Sequence, residues 1–116
     1  MLTVLIVDDH QGFRGRARAL LEQAGFSVVG GAASGAEGIA EAGRLRPRLV
    51  LLDVQLPDLD GFEVARRLHA LDASIDVVLT STHDCSDYGP LVVECPARGF
   101  VAKSELAPAA ITTLLA

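Results

Sequence analysis

The sequence predicts a single α/β domain built on a parallel sheet, and three observations predict it. Five short apolar runs recur along the chain, at Val4–Val7, Val28–Ala33, Leu49–Asp53, Val77–Thr80 and Phe100–Ala102. The segments between them carry helical periodicity. The runs themselves are continuously apolar, as strands covered on both faces are. Strands that alternate with helices imply crossover connections and hence parallel pairing.

The helices follow in order. In "FRGRARALLEQAGF", Phe13, Ala17, Leu20, Leu21 and Ala24 recur at three- and four-residue steps and form the inward stripe. Arg14, Arg16, Arg18, Glu22 and Gln23 take the other face, and read as a solvated helix surface. Gly25 stands where a helix end favours positive φ. "GAEGIAEAGRLR" is a weaker helix, diluted by Gly38 and Gly43 and barred from extension by Pro47. "GFEVARRLHAL" points Phe62, Ala65, Leu68 and Leu71 inward. Gly89-Pro90 falls where the fourth helix belongs, so that helix is expected to be short, starting near Pro90, or irregular. "PAAITTLLA" is the last, opened by Pro108.

The 116 residues suit one domain, 1–116, and 50% of them are hydrophobic, enough for one core. Ten Lys and Arg against 15 Asp and Glu give a net charge of −5. That argues against non-specific nucleic-acid binding by this segment, because phosphate contacts need clustered cations. Cys85 and Cys95 lack the flanking Cys or His of a zinc site and read as reduced thiols of a cytoplasmic protein. The first apolar run ends at Val7 in two acids, which fits neither a signal peptide nor a membrane span.

Those acids are the first chemical signal. In a parallel doubly wound sheet all strand C-termini open on one edge, where ligands bind, and strands one and three are commonly neighbours. Asp8 and Asp9 end the first strand in "TVLIVDDHQGF", and Asp53 ends the third in "LVLLDVQLPDLDG". Three carboxylates then converge. Unpaired, they raise one another's pKa. A hard divalent cation resolves the repulsion, and Mg²⁺ (or Mn²⁺) takes oxygen ligands of this kind. A lone strand-end Asp more often caps a turn or helix, so the plainer role for Asp8 or Asp9 is to cap the following helix, while Asp58 and Asp60 serve the loop after the third strand. Thr80 and Ser81 end the fourth strand, and Lys103 follows the fifth. A hydroxyl and an ammonium beside carboxylates fit a site where a phosphoryl anion forms. Asp53 is the natural nucleophile, since carboxylates form acyl phosphates. The plainer role for Lys103 is an ion pair with one of the acids, and the two roles are compatible. His10 reads as a bystander or as a neighbour of the acidic pocket.

In the ordered set "VLIVDDH", "LVLLDVQLPDLDG", "VVLTSTHD" and "GFVAK", the chain resembles the receiver domain of two-component response regulators. "KSEL" resembles the receivers that precede helix-turn-helix output domains of the LuxR type. The resemblance implies a flavodoxin-like (βα)5 three-layer sandwich of strand order 2-1-3-4-5. It implies that Asp53 accepts the phosphoryl group, that Asp9 binds the metal directly, and that Asp8 acts through water. The main-chain carbonyl of Gln55 completes the protein ligands, and Lys103 pairs with the phosphoryl group. Ser81, twenty-two residues before Lys103, takes the place of the switch hydroxyl, with Thr80 pointing away. Phe100 takes that of the aromatic rotamer switch, without a hydroxyl of its own. Gln55 and His83 tune dephosphorylation, although a solvated loop histidine is an equally good account of His83. Ser104 follows the lysine where many relatives have a cis proline, so a trans bond is expected.

The resemblance also implies partners and an activity. A sensor histidine kinase or a phosphotransfer domain docks on the first helix, and a homodimer is an option. The domain is then a phosphorylation switch and not an enzyme with a separate product. It controls an output, transcription above all, that this chain does not contain. A phosphatase of the haloacid dehalogenase type wants a second Asp two residues after the nucleophile, and Gln55 stands there instead. A degenerate receiver acting only as an interaction module is at odds with the complete acid–hydroxyl–lysine set.

Overall fold

Val4–Val7 is a buried strand flanked by a neighbour on each side. The computed structural model describes residues 2–116. Its elements are β1 Thr3–Val7, α1 Gln11–Gln23, β2 Ser27–Ala32, α2 Gly35–Leu45, β3 Leu49–Asp53, α3 Gly61–Leu71, β4 Asp76–Ser81, α4 Pro90–Glu94, β5 Gly99–Ala102 and α5 Pro108–Leu115. Single 3₁₀ turns at Cys85–Asp87 and Lys103–Glu105 precede α4 and α5. The strands form one parallel sheet ordered β2-β1-β3-β4-β5. All five expected strands are present, each within a residue or so of its expected bounds. The flavodoxin-like topology is the expected one.

Strand alternation splits the core in two. Leu5, Val7, Val50, Leu52, Val77 and Leu79 face α2 and α3, where Ala42, Val64, Ala65 and Leu68 meet them. Val4, Ile6, Leu49, Leu51, Val78 and Val101 face α1 and α5, and pack on Phe13, Ala17, Leu21 and Ile111. Gly38, which weakens the helical signal of α2, sits where a Cβ would come within 2.9 Å of the Val7 side chain. Its missing side chain lets α2 lie close on the sheet. Gly25 has φ +93°, as a helix end requires.

Two inward assignments are corrected. Ala24 is exposed, because it is the C-cap of α1 and lies past the last buried turn. Leu71 is 47% exposed. It ends α3 beside Gly43 of α2, which has no side chain to cover it; a Cβ there would lie 3.8 Å from Leu71. Val64 joins Phe62, Ala65 and Leu68 in the buried face instead. The fourth helix is short and starts at Pro90, as the Gly-Pro pair predicts. No peptide bond among the described residues is cis, the one after Lys103 included. Cys85 and Cys95 are free thiols, the first exposed and the second buried. Among the described residues no helix is long and apolar enough to cross a membrane.

Candidate functional site

β1 and β3 are neighbours, and both end in acid at the C-terminal edge of the sheet. Alternation places Asp8, Asp53 and Lys103 on the α1/α5 side, in line with Ile6, Leu51 and Val101. Asp8 is fully buried and Asp53 is 3% exposed. Lys103 crosses from the end of β5 to both. Its Nζ lies 2.7 Å from Asp8 Oδ2 and 3.3 Å from Asp53 Oδ2, with 11% of the side chain exposed. The Phe13 ring lies 4.6 Å beneath the same ammonium. A cation held between carboxylates and an aromatic face loses much of its hydration, which strengthens each contact.

Asp9 is exposed and turns the other way, toward solvent. His10 closes the group: its Nδ1 is 3.2 Å from both Asp8 Oδ1 and Asp9 Oδ1, and its N–H donates to Asp8 Oδ1 at 2.8 Å. Ligand atoms of Asp8, Asp9, His10 and Asp53 all fall within 4.8 Å of one another. The sequence leaves His10 between bystander and pocket neighbour; the structure makes it a neighbour. Arg14 is unforeseen. Its guanidinium donates to the Asp8 carbonyl and anchors the end of β1. Neither Asp8 nor Asp9 caps α1, whose N-cap is His10 without a side-chain cap.

The donor set fits a divalent cation. Asp8 Oδ2 is buried and makes no hydrogen bond; the Lys103 contact is an ion pair at an angle that makes none. Such an oxygen keeps lone pairs for a cation. Burial first, and the charge of Asp8 second, push the Asp53 carboxyl above the ordinary range. Lys103 and the Gln55 N–H, 3.3 Å from Asp53 Oδ1, pull the other way.

The loop after β3 is fixed by its own acids. Asp60 caps α3 by accepting from the Glu63 N–H at 2.8 Å. Asp58 reaches further than its own loop: its oxygens accept from the Gly35 and Ala36 N–H groups at 2.8 and 2.9 Å. Those backbone donors hold its carboxyl below the usual range. Asp58 thus caps α2 from a distance, a role that local sequence cannot reveal. Gly61 closes the turn, since a Cβ there would sit 2.5 Å from the Asp53 carbonyl oxygen.

Ser81 and Thr80 point to opposite sides. Alternation puts Thr80, register partner of Asp53, on the Asp53 face of the sheet, against the expectation that it points away. Its Oγ1 is sealed and has no partner among the described residues. Ser81 faces the α3/α4 side. Its Oγ accepts from the His83 N–H at 3.1 Å and lies 2.7 Å from the Tyr88 hydroxyl. Phe100 is half-buried, 5.9 Å from the Tyr88 ring. Gln55 and His83 are both exposed, and the His83 ring lies toward Asp87, with Nδ1 3.9 Å from its carboxylate. Beside the acids an open cleft of about 970 Å³ is lined by Asp9, His10, Phe13, Arg16, Lys103 and Leu106.

A parallel five-stranded sheet with buried carboxylates and a lysine converging at its C-terminal edge defines a flavodoxin-like domain whose acidic pocket can hold a cation. The response regulator receiver domain family matches residues 4–116, and the chain belongs to that family. It is 38% identical over 102 residues to the virulence-factor transcription regulator BvgA of Bordetella pertussis, across 88% of this chain and 49% of that one. Two solved structures superpose closely. A LuxR-family response regulator from Aurantimonas sp. gives a TM-score of 0.87 at 29% identity, over 97% of this chain and 81% of that one. The receiver domain of response regulator NarL from Mycobacterium tuberculosis gives 0.87 at 28%, over 98% and 96%. The chain spans about half the length of the curated relatives it matches.

Proposed function

We propose that this domain is a phosphorylation switch in which Asp53 accepts a phosphoryl group from the phosphohistidine of a sensor histidine kinase or phosphotransfer domain. The observation that carries the reading is a buried carboxylate at a strand end, paired with an ammonium at 3.3 Å and crowded by a second acid. An Asp53 oxygen attacks phosphorus, the P–N bond of the donor breaks, and the leaving imidazole takes its electron pair and a proton. Mg²⁺ is the cation that suits the oxygen donors, and it supplies charge neutralisation to the transferring phosphoryl group. Asp9, with Asp53 and the Gln55 carbonyl, would hold it, and Asp8 would act through water. Lys103 meets the new phosphoryl oxygens as a point charge. Ser81 turns toward them and Phe100 follows into the space it leaves. The cleft beside Arg16 is the docking face for the donor. Gln55 and His83 flank the path of the water that ends the signal. The whole protein is proposed to be a cytoplasmic transcription regulator that uses a DNA-binding segment outside this domain, with dimerisation as the output step. The domain itself catalyses only its own phosphorylation and dephosphorylation.

Incubation with Mg²⁺ and acetyl phosphate should add one phosphoryl group to the wild type and none to Asp53→Asn, as read by intact mass. Equal modification of that variant would reject Asp53. The two strand-end acids should differ as well. Asp8 is occupied by Lys103 and His10, whereas Asp9 is open to solvent. Asp9→Ala should therefore weaken Mg²⁺ binding by about tenfold or more, and Asp8→Ala by less. Calorimetric titration giving the reverse order would undo that division of roles.

A further inference from the structure

The segment 84–94 is attached to the rest of the domain in an unusual way. Its backbone hydrogen bonds are internal, from Asp87 to Asp84, Tyr88 to Cys85 and Leu91 to Tyr88. The Asp87 carboxylate accepts from the Asp84 N–H within the segment too. Apart from the Cys95 N–H, which closes the helix end on the Leu91 carbonyl, a single hydrogen bond among the described residues ties it to the body: Tyr88 Oη to Ser81 Oγ, at 2.7 Å. The Tyr88 ring is wedged beside that bond. It stands edge-on to Phe62 of α3 with centroids 5.5 Å apart, and tilted against Phe100 of β5 at 5.9 Å. Beyond it the short α4 carries Leu91 and Val93 on the surface, the latter 87% exposed.

We infer that Tyr88 is a positioning residue that clamps the Ser81 hydroxyl in the unphosphorylated state, so that phosphorylation must break this bond and thereby release segment 84–94. The inference rests on the phosphoacceptor reading of Asp53. Ser81 Oγ meets Tyr88 and the His83 N–H on the α3/α4 side of the sheet, whereas Asp53 stands on the α1/α5 side of the neighbouring strand. It cannot keep the Tyr88 contact and also turn to phosphoryl oxygens there. When it leaves, the half-buried phenol loses its partner, and a buried hydroxyl without a partner is unfavourable. Tyr88 then turns its hydroxyl to water, the ring withdraws from between Phe62 and Phe100, and the pocket it vacates is the one Phe100 can enter. The charge change at Asp53 is thus passed to the α4 surface through one hydroxyl pair. Phe100 has no hydroxyl with which to do this itself.

The chain has one Tyr and no Trp, so tyrosine ultraviolet resonance Raman reports Tyr88 alone. Titration with Mg²⁺ and beryllofluoride, a phosphoryl mimic, should shift the tyrosine doublet of the wild type from a hydrogen-bonded to a water-exposed pattern. Tyr88→Phe should bind beryllofluoride about three- to tenfold more tightly than wild type, the size of one net hydrogen bond no longer broken. In a Ser81→Ala background the same substitution should give no gain, which a purely structural role for Tyr88 would not predict. Saturable binding with an unchanged tyrosine signal, or a gain that persists without Ser81, would overturn the clamp and leave the phosphoacceptor reading standing. No saturable binding to the wild type would overturn both.

Discussion

Lys103→Met should destabilise the metal-free domain by about 3–5 kcal/mol, and Mg²⁺ should recover much of the loss. The substitution keeps the apolar stem over Phe13 and removes the one ammonium that, among the described residues, contacts Asp8 and Asp53. Two carboxylates, one fully buried and one nearly so, are then left facing each other. Removing one partner of a buried ion pair costs far more than the pair contributes, because an uncompensated charge stays behind. The deficit should be largest at neutral pH and shrink in acid, where the Asp53 carboxyl, already held above its ordinary pKa, takes up a proton. A divalent cation replaces the lost charge; at about 100 times its dissociation constant it adds about 2.7 kcal/mol. Urea unfolding with and without Mg²⁺ measures this. A variant as stable as the wild type in chelator would show that Lys103 does not hold the acids together.

Asp53→Asn should do the opposite while abolishing phosphorylation. The folded protein holds the Asp53 carboxyl above its ordinary pKa, through burial first and Asp8 second. A raised folded pKa means that the favourable contribution is complete below the unfolded value, about 3.9. It is lost as pH rises through the folded one. At neutral pH the ionised side chain therefore destabilises the fold. Asparagine has the same shape, can still accept from the Gln55 N–H, and carries no charge to desolvate. Its Tm should exceed that of the wild type at pH 7 in chelator, with a gap that closes in acid. Mg²⁺ should narrow the gap by stabilising the wild type more. A variant that melts lower than the wild type at pH 7 would show that the Lys103 pairing outweighs burial and repulsion. A site tuned for reaction would here stand at a cost to the fold, as reactive groups often do.

Much of this was legible locally. Each apolar run became a strand, and Gly25, Pro90 and Pro108 marked helix ends where their backbone preferences require. Leu71 and Ala24 misled, because periodicity predicts a face and not how far a neighbouring element extends to cover it. Asp58 looked like a residue of its own loop, yet its partners are Gly35 and Ala36 on another helix. Tyr88 carried no signal, since nothing in "SDYGP" announces a bond to a serine on a strand.

By itself the sequence determined the parallel α/β class and the acids at the strand ends, and the order of strands came with the family resemblance. Strand and helix periods, breakers and strand-end acids are local properties, and parallel sheets gather strand ends at one edge whatever the details. Only the tertiary structure decided which acid is buried, which is open to solvent, and which hydroxyl meets the serine. Those outcomes depend on the order of strands and the packing of side chains far apart in the chain. Asp8 and Asp9 are adjacent and chemically identical. A strand's period of two sends one into the core beneath Lys103 and leaves the other in water.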